Sequence, residues 1–477
     1  MIVNGLSDFS GQRILMLQGP VGPFFARFAG DLALAGAAVF KVNFNGGDWL
    51  FSKSRSFSRV FDYAGDLAAW PAYFEDLLLR LNIDTVLLFG DCRPVHAAAV
   101  HVIQNRGIHV GVFEEGYLRP DYITLERDGV NNNSSLPRDP AFYLAQPRPK
   151  LPDSKPLGRT YGEAAKWGVM YFSAATIGRV WFRHYRHHRR LGISDAPTWC
   201  LSYLRKFAYR LIERDALPTL VDANSGNFFL VSLQMRGDAQ MSVHSPYKSV
   251  QQFIEHVVAS FARHAPAGRL LTLKHHPLDR GYTDYRRLIK RLIREHKLED
   301  RCFYIHDQHL PTLLQHACGV VVVNSTAGLS AVGEGVPVKV CGESIYDIQG
   351  LTFQGPLDAF WGNAHLAVPN LELYQAFRSY LIRHTQHQGS FYKRLPDVSY
   401  DSGIVWADHG SSAPHWEHRV TGSASELGQV ALDLDLVSND SFLDTGGESR
   451  PTDTLTGKAA WAGETGLRQS GSKGTPQ

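Results

Sequence analysis

Two series of short apolar runs, separated by longer stretches of helical periodicity, dominate this chain of 477 residues. Such an alternation is typical of βαβ units built around a parallel sheet. In the first series, strands are predicted near residues 13–17, 38–42, 85–89 and 108–113. Helices are predicted between them, for example at residues 70–81 and 97–105. In the second series, strands are predicted near residues 228–233, 270–273, 302–305, 319–323 and 337–340.

The two series together predict an α/β fold of the GT-B type, in which two Rossmann-like domains face a cleft. The predicted divisions are an N-terminal domain, a helical connector, a C-terminal domain and a tail, at residues 1–153, 154–217, 218–400 and 401–477. In open α/β sheets, ligands bind beyond the carboxyl ends of the strands. Function is therefore expected in the loops that follow the predicted strands.

The tail is predicted from a change in composition after about Asp401, where Gly, Ser, Thr and Asp dominate and hydrophobic periodicity fades. Such a composition predicts a largely disordered segment. The run Asp433-Leu434-Asp435 imitates a metal-binding DxD motif. In a segment of this kind, an accidental match is the better interpretation.

Several functional classes are excluded by the bulk properties of the sequence. The formal charge of +3 does not indicate a general nucleic-acid binder, and we find no Walker A, HExxH or zinc-ligand spacing. The five cysteines are scattered without a CxxC pair, which favours reduced thiols in the cytoplasm. The N-terminus lacks a signal-peptide pattern, and no run of 18 uninterrupted apolar residues predicts a transmembrane helix. No metal cofactor is expected.

The connector is both basic and aromatic. Residues 179–214 contain nine Arg or Lys residues against two acids, interleaved with Trp, Phe and Tyr. This composition suits an anionic membrane surface. The alternative interpretation, an ordinary pair of exposed linker helices, is supported about equally.

In the first series, three clusters follow predicted strands. Gln18 and Gly19 begin a Gly- and Pro-containing loop that predicts a shaped acceptor site rather than a dinucleotide site, since proline removes amide donors. Asp91 and Arg93 follow the strand at residues 85–89. The third cluster contains two adjacent carboxylates and a cation, namely Glu114, Glu115 and Arg119. A carboxylate here is a candidate proton acceptor for an incoming hydroxyl, and the alternative is a structural ion pair with Arg93 or Arg119.

The second series also places polar residues after its strands. Arg236 and Asp238 follow the strand at residues 228–233, where Asp238 is a candidate nucleophile or base and equally a candidate helix cap. A cation, two imidazoles and a proline follow the next strand, as Lys274, His275, His276 and Pro277. The turn Asn324-Ser325-Thr326 precedes a helix whose free amides and dipole predict a phosphate site, although a simple cap is the alternative. Glu334, two turns further on, is a candidate ligand of a ribose hydroxyl.

Six motifs in this order resemble the capsule polysaccharide biosynthesis family of KpsS type. They are QGPVGPFF, GDCRPVH, FEEGYLRPDYITLE, LQMRGDAQ, KHHP and NSTAGLSAVGEGVPV, and the resemblance spans roughly residues 14–394. It implies a retaining β-Kdo transferase that uses CMP-Kdo as the donor and a lysophosphatidylglycerol-type lipid as the acceptor, without a metal. Kdo is an acidic sugar. The resemblance also implies a cytoplasmic protein at the inner face of the bacterial inner membrane, alongside other capsule synthesis and ABC export proteins.

The resemblance assigns roles to the clusters. His276, Pro277 and the turn Asn324-Ser325-Thr326 would bind the CMP phosphate, with Glu334 on the ribose. Asp238 would be the nucleophile, and the pair Glu114-Glu115 would supply the acceptor-activating base. Candidate groups for the acceptor or the sugar carboxylate are Gln18, Gly19, Asp91, Arg93, Arg119, Arg236 and Lys274. Two alternatives stay open: another nucleotide-sugar transferase of the GT-B type, and a non-catalytic capsule assembly or export factor.

Overall fold

The computed structural model describes residues 5–104, 106–151, 154–186, 195–237, 241, 244–395 and 398–406. The first sheet contains strands β1 (Arg13–Met16), β2 (Ala38–Asn43), β3 (Arg59–Asp62), β4 (Thr85–Phe89), β5 (His109–Glu115) and β6 (Tyr122–Arg127). Its order is β6-β5-β4-β1-β2-β3, and every pair is parallel except β5 with β6. The helices of this half are α1 (Phe24–Leu34), α2 (Gly46–Phe51), α3 (Trp70–Leu81), α4 (Pro94–Ile103) and α5 (Pro140–Leu144).

The connector contains α6 (Tyr161–Ile177) and α7 (Ala196–Ile212), with residues 187–194 between them lying outside the described part of the chain. Helix α6 packs on the first half, where Gly46 lies so close to Ala174 that an added Cβ would clash with its carbonyl oxygen. Helix α7 packs on the second half, where Arg205 donates to the carbonyl of Arg280 at 2.7 Å. The two helices thus belong to different halves.

The second sheet contains β7 (Phe228–Ser232), β8 (Leu270–Lys274), β9 (Cys302–Ile305), β10 (Gly319–Val322) and β11 (Val338–Val340). Its order is β11-β10-β7-β8-β9, all parallel. Its helices are α8 (Val250–His264), α9 (Arg286–His296), α10 (Leu310–His316), α11 (Thr326–Gly333) and α12 (Leu357–Asn363). Counted within each half, the first five strands of both sheets follow the order 3-2-1-4-5. The predicted α/β fold with two Rossmann-like halves is confirmed.

Both sheets are covered by helices on both faces. All four residues of β10 are buried, as expected for a central strand of a parallel sheet. One face of the second sheet packs Phe229 against Trp361, with ring centroids 5.0 Å apart. One face of the first sheet packs Phe113 against Phe24 at 5.5 Å. The strands themselves therefore leave little room for polar groups except at their ends.

After α12, helix α13 (Leu371–His384) leads the chain back to the first half. Strand β12 (Gln386–Gln388) then pairs antiparallel with β6, so that Gln386 faces Thr124. Residues 386–388 are therefore part of the first sheet, although the sequence placed them in a second domain ending at residue 400. The prediction missed this strand because its partner lies more than 250 residues earlier in the chain.

The predicted start of the tail at residue 401 is also wrong for its first six residues. The backbone amides of Asp401 and Ser402 donate to the Asp31 carboxylate at 2.7 and 2.9 Å. Ile404 is fully buried, and Trp406 stacks on Phe28 with ring centroids 5.7 Å apart. Residues 407–477, including Asp433-Leu434-Asp435, lie outside the described residues.

Trp406→Ala should destabilise the protein by about 3–5 kcal/mol, because it leaves a cavity between α1 and the end of the described chain. The neighbouring Val405 is 36% exposed, whereas Trp406 is 6% exposed. Val405→Ala is therefore the matched control and should cost under about 1 kcal/mol. Urea unfolding of the two full-length variants checks the difference. Equal stability of both would contradict the packing of this segment.

Candidate active site

The loops that follow β4 and β7, one from each sheet, touch across the gap between the halves. The Sγ atom of Cys92 lies 3.4 Å from Nε2 of His244. Because both loops extend from the carboxyl ends of parallel strands, this contact shows that the two sets of strand ends face each other. Burial lowers the pKa of His244, which favours the neutral imidazole at the contact.

The predicted acid pair forms the end of β5. Side chains alternate along a strand, so Glu114 and Glu115 point to opposite faces. Glu114 accepts a 3.0 Å hydrogen bond from the amide of Glu115 and lies beside Gly90, where an added Cβ would be 3.5 Å from its Oε2. Burial raises the pKa of Glu114 to about 7, a rise that the nearby Arg93 charge partly opposes. Glu115 instead accepts a 2.7 Å hydrogen bond from the hydroxyl of Tyr392.

Arg93 is held beside this pair by the loop that follows β1. Its Nη1 donates to Oε1 of Gln18 at 2.9 Å and to the carbonyl of Gly19 at 3.3 Å. Gln18 is fully buried, and its Nε2 donates to Asp48 at 3.1 Å and to Tyr185 at 2.7 Å. Gln18 and Gly19, predicted as acceptor-site residues, thus have a clear role in fixing the Arg93 guanidinium.

The carboxylate of Asp91 is hydrogen-bonded to neighbouring groups of the protein. Its Oδ2 accepts hydrogen bonds from the amide of Val130 at 3.0 Å and from Nδ2 of Asn133 at 3.1 Å. The side chain is buried and also lies 3.3 Å from the Cys92 sulfur. Asp91 therefore fixes the loop that carries both Cys92 and Arg93.

On the second half, the Asn324-Ser325-Thr326 turn begins α11. The Ser325 hydroxyl accepts from the amide of Ala327 at 3.3 Å, which is the capping arrangement that the sequence left open. Gln234 donates to Oδ1 of Asn324 at 2.6 Å and so joins the loop after β7 to this turn. Gly328 allows Tyr346 to approach, because an added Cβ would lie 2.3 Å from the tyrosine hydroxyl. A cap and an anion site are compatible, since the remaining amides of the first turn stay available.

Three polar residues at the end of β8 differ in their burial and hydrogen bonds, namely Lys274, His275 and His276. Lys274 is buried, burial lowers its pKa, and its ammonium makes no hydrogen bond or ion pair with the described residues. His276 is half-buried, and its Nδ1 accepts from the amide of Leu278 at 3.2 Å. His275 packs into the protein, with Nδ1 2.7 Å from the Tyr304 hydroxyl, and burial lowers its pKa to about 3. Lys274 and His276 thus stay together at the strand end, and His275 does not.

Several predicted residues are not brought into this group. Glu334 is exposed just after the last residue of α11 and accepts from Gln315 at 3.2 Å. An eight-residue helix is about 12 Å long, so the structure does not bring Glu334 to the Ser325 turn. Arg236 is exposed, with its backbone amide bonded to Asp279.

Pro277 is exposed and begins a short 3-10 turn. Arg119 is exposed and donates to the carbonyl of Gly116 at 3.2 Å, so the predicted alternative of an ion pair to this arginine is not formed among the described residues. Asp238 lies outside the described residues, and its roles as nucleophile or cap stay predictions.

Some residues of the site were not predicted. Gln234 stands next to predicted residues and could have been recognised as the first polar residue after β7. Tyr392 and Tyr185 had no such signal, because they reach the first half from distant parts of the chain. Within the described residues, no group of three or more His, Cys, Asp and Glu side chains could hold a metal ion, and a metal-free reaction stays a prediction.

Comparisons with known proteins point to the same family that the motifs resemble. Residues 84–392 match the model of a family described as capsule polysaccharide biosynthesis protein. The chain is 41% identical over 384 residues to the capsule polysaccharide export protein KpsS of Escherichia coli, covering 80% of this chain and 97% of that protein. It is 39% identical over 394 residues to the capsule polysaccharide modification protein LipB of Neisseria meningitidis, covering 81% of this chain and 93% of LipB.

Among solved structures, the β-Kdo 2,7 transferase KpsC of Thermosulfurimonas dismutans superposes with a TM-score of 0.38 and 16% identity, covering 74% of this chain and 89% of that chain. A similarity at that level carries no functional argument.

The partly buried Glu114 should make the stability of the protein pH-dependent. Its pKa is about 7 in the folded chain and ordinarily 4.5, so the folded chain holds the additional proton between these values. The resulting stability is complete below about pH 4.5 and is lost as the pH rises through about 7. Glu114→Gln should flatten this loss by a few kcal/mol, at about 1.4 kcal/mol per pKa unit.

Urea unfolding at about pH 5 and about pH 8 measures this slope, which is the change in the free energy of unfolding with pH. Part of the slope should persist in the variant, because burial also raises the pKa of Glu126 to about 7. The exposed Glu299 provides the control, and Glu299→Gln should keep the wild-type slope. A wild-type slope in Glu114→Gln would contradict the burial of its carboxyl group.

Proposed function

The chain belongs to the capsule polysaccharide biosynthesis family, and from that premise we propose that it is a Kdo glycosyltransferase. In this proposal it moves Kdo from CMP-Kdo to a lysophosphatidylglycerol-type lipid with retention of configuration. The observation that carries the proposal is the 3.4 Å contact between Cys92 and His244. That contact joins the loop after β4, which lies beside Glu114 at the end of β5, to the loop after β7, which is bonded to the turn of the candidate phosphate site through Gln234 and Asn324.

The donor phosphate is assigned to the second half. The first turn of α11, opened by Ser325 and Thr326, offers backbone amides and the positive end of the helix dipole. His276 and the buried Lys274 lie at the end of β8, which is separated from β10 in the sheet by β7 alone. Together these groups would stabilise the negative charge of CMP as it leaves.

The acceptor base is assigned to the first half, and Glu114 is the better of the two carboxylates. Its pKa of about 7 suits proton transfer at neutral pH. It also shares its surroundings with Arg93 and Asp91, whose loop reaches His244. Glu115 faces the opposite side of the strand and is bonded to Tyr392. Arg93 is the cation placed to attract an anionic group beside the base.

Retention requires two displacements. In the first, the Asp238 carboxylate attacks the anomeric carbon of Kdo, the bond to the CMP phosphate breaks, and CMP leaves. In the second, Glu114 takes the proton of the acceptor hydroxyl, whose oxygen attacks the same carbon and displaces Asp238. The assignment of Asp238 rests on its motif alone.

The connector supports work at a membrane surface. On α7, the side chains of Tyr203, Leu204, Phe207 and Leu211 are 50–75% exposed. Their spacing places them along one side of the helix, next to Lys206 and Arg210. Apolar groups beside cations bind the boundary of an anionic bilayer. None of the helices in the described residues is both long and apolar enough to span a bilayer. We place the protein at the inner face of the inner membrane, with capsule synthesis and export proteins as partners.

The product of the reaction tests the proposal. Incubation with CMP-Kdo and a lysophosphatidylglycerol should give a lipid heavier by one Kdo residue or more in mass spectrometry. CMP-sialic acid and UDP-sugars, offered in parallel, should give none. Asp238→Asn should bind CMP and lose transfer by several orders of magnitude, because an amide does not attack the anomeric carbon.

Three results would contradict this reading. Products from a UDP-sugar alone would indicate a different transferase of the same fold. No product from any donor, combined with capsule assembly by the Asp238→Asn variant in cells, would indicate a non-catalytic assembly factor. Full transfer by Asp238→Asn would leave this residue the role of a helix cap, since Asn caps about as well as Asp.

The assignment of two halves predicts a separation of binding from transfer. His276→Ala should weaken CMP binding about ten- to a hundredfold, as expected for losing a hydrogen bond to a charged group. Glu114→Gln should leave CMP affinity unchanged and remove transfer. Calorimetry with CMP, together with the product assay, measures both. Equal loss of CMP affinity in the two variants would break the assignment, and loss of transfer in Glu115→Gln alone would move the base to Glu115.

A further inference from the structure

A cavity of about 160 Å³ lies between the turn that joins β5 to β6 and the helices α11 and α13. The turn contributes Arg119, Asp121 and Tyr122, and the helices contribute Ser330, Tyr374 and Arg378. All six of these residues carry a polar side-chain atom. Its walls therefore come from both halves of the chain, and they suit a polar ligand.

Two arginines face this cavity without a carboxylate partner among the described residues. Arg378 is half-buried, and its guanidinium makes no hydrogen bond or ion pair with that part of the chain. Within the described part of the chain, Arg119 donates only to a backbone carbonyl, that of Gly116 at 3.2 Å. The Arg378 charge acts on the phenols of both Tyr122 and Tyr374, which locates the guanidinium close to each of them. Two like charges that share a cavity are stabilised when an anion joins them.

The acids nearby form no ion pair with either arginine among the described residues. Asp121 lines the cavity, and its Oδ1 accepts the amide of Leu157 at 2.8 Å. Glu334 is near enough to influence Tyr374, but its carboxylate is exposed and accepts from Gln315. With two guanidinium groups against the one carboxylate of Asp121, the lining residues carry one net positive charge.

We propose that this cavity binds a phosphate group, held by the guanidinium groups of Arg119 and Arg378 and by nearby hydroxyls. Guanidinium forks match phosphate oxygens in a bidentate manner, and Tyr122, Tyr374 and Ser330 carry hydroxyls on the same walls. The cavity volume is several times the roughly 30 Å³ that a water molecule takes up in the liquid. A bound phosphate would join the hairpin that carries Glu114 to the helix that begins at Ser325. The phosphate is either a free ion or the headgroup of a phospholipid.

Calorimetry on the full chain separates the two sources. The probes are inorganic phosphate and dihexanoylphosphatidylglycerol kept below its micelle concentration. Arg378→Gln and Arg119→Gln should each weaken binding of at least one probe about ten- to a hundredfold. Arg378→Lys keeps the charge but loses the fork, so it should give an intermediate loss. The probe whose binding depends on these arginines identifies the source.

Arg148 provides the matched control, because it pairs with Glu372 on α13 and lies outside the cavity. Arg148→Gln removes the same charge near the same helix and should change binding less than about twofold. Since the turn at Ser325 is intact in every variant, phosphate bound there cannot produce the difference. Equal affinity of wild type and both cavity variants for both probes would overturn the site, as would an equal loss in Arg148→Gln. These measurements do not depend on sugar transfer, so failure of the proposed reaction would be a separate result.

Discussion

Burial on both faces of the two parallel sheets is the constraint on which the rest of this molecule depends. A strand such as β10 has no exposed face, so polar side chains along its length would lose their hydrogen bonds to water without replacement. Polar chemistry therefore collects where the strands end. Glu114 and Glu115 close β5, Lys274 closes β8, and Ser325 follows β10 within a few residues. The candidate functional residues are concentrated at these ends because the buried sheets leave little room for polar groups elsewhere.

The return of the chain to the first half then sets how the two groups of strand ends meet. Helix α13 leaves the second half and delivers Gln386 to the first sheet, where its Oε1 accepts the amide of Tyr117 at 2.9 Å. Close packing fixes both ends of the connector as well. An added Cβ at Gly281 would lie 2.4 Å from the carbonyl oxygen of Thr198 on α7, and Gly46 is equally restricted by α6. With these contacts in place, the loops of Cys92 and His244 meet across the cleft.

The sequence predicts the central parallel strands well, because short apolar runs of four to six residues between helical segments are typical of buried strands. It fails for the strands at the two edges of the first sheet. Strand β3 is largely exposed at the sheet edge, and β12 is a three-residue polar strand, so neither has the apolar pattern that predicts a strand. Trp406 was assigned to a tail because one aromatic residue cannot be distinguished from its surroundings without knowing that α1 offers it a partner.

The residues of the candidate site also divide into those that the sequence predicts and those that it does not. Residues next to strand ends, such as Glu114 and His276, were predicted because the loops that follow strands are the place to look. The partners that tune them were not, since Tyr392 meets Glu115 only after the whole chain has folded. Glu334 lies just beyond the far end of α11, away from the turn, and its role at the ribose stays a prediction.

The central claim is that the second half holds the donor nucleotide and presents it to the carboxylates of the first. A crystal structure of the protein with bound CMP tests this most directly. We expect the CMP phosphate on the backbone amides that follow Ser325, beside His276 and Lys274, with its open side toward Glu114. A nucleotide bound instead in the first half, against the loop of Gln18 and Gly19, would contradict it.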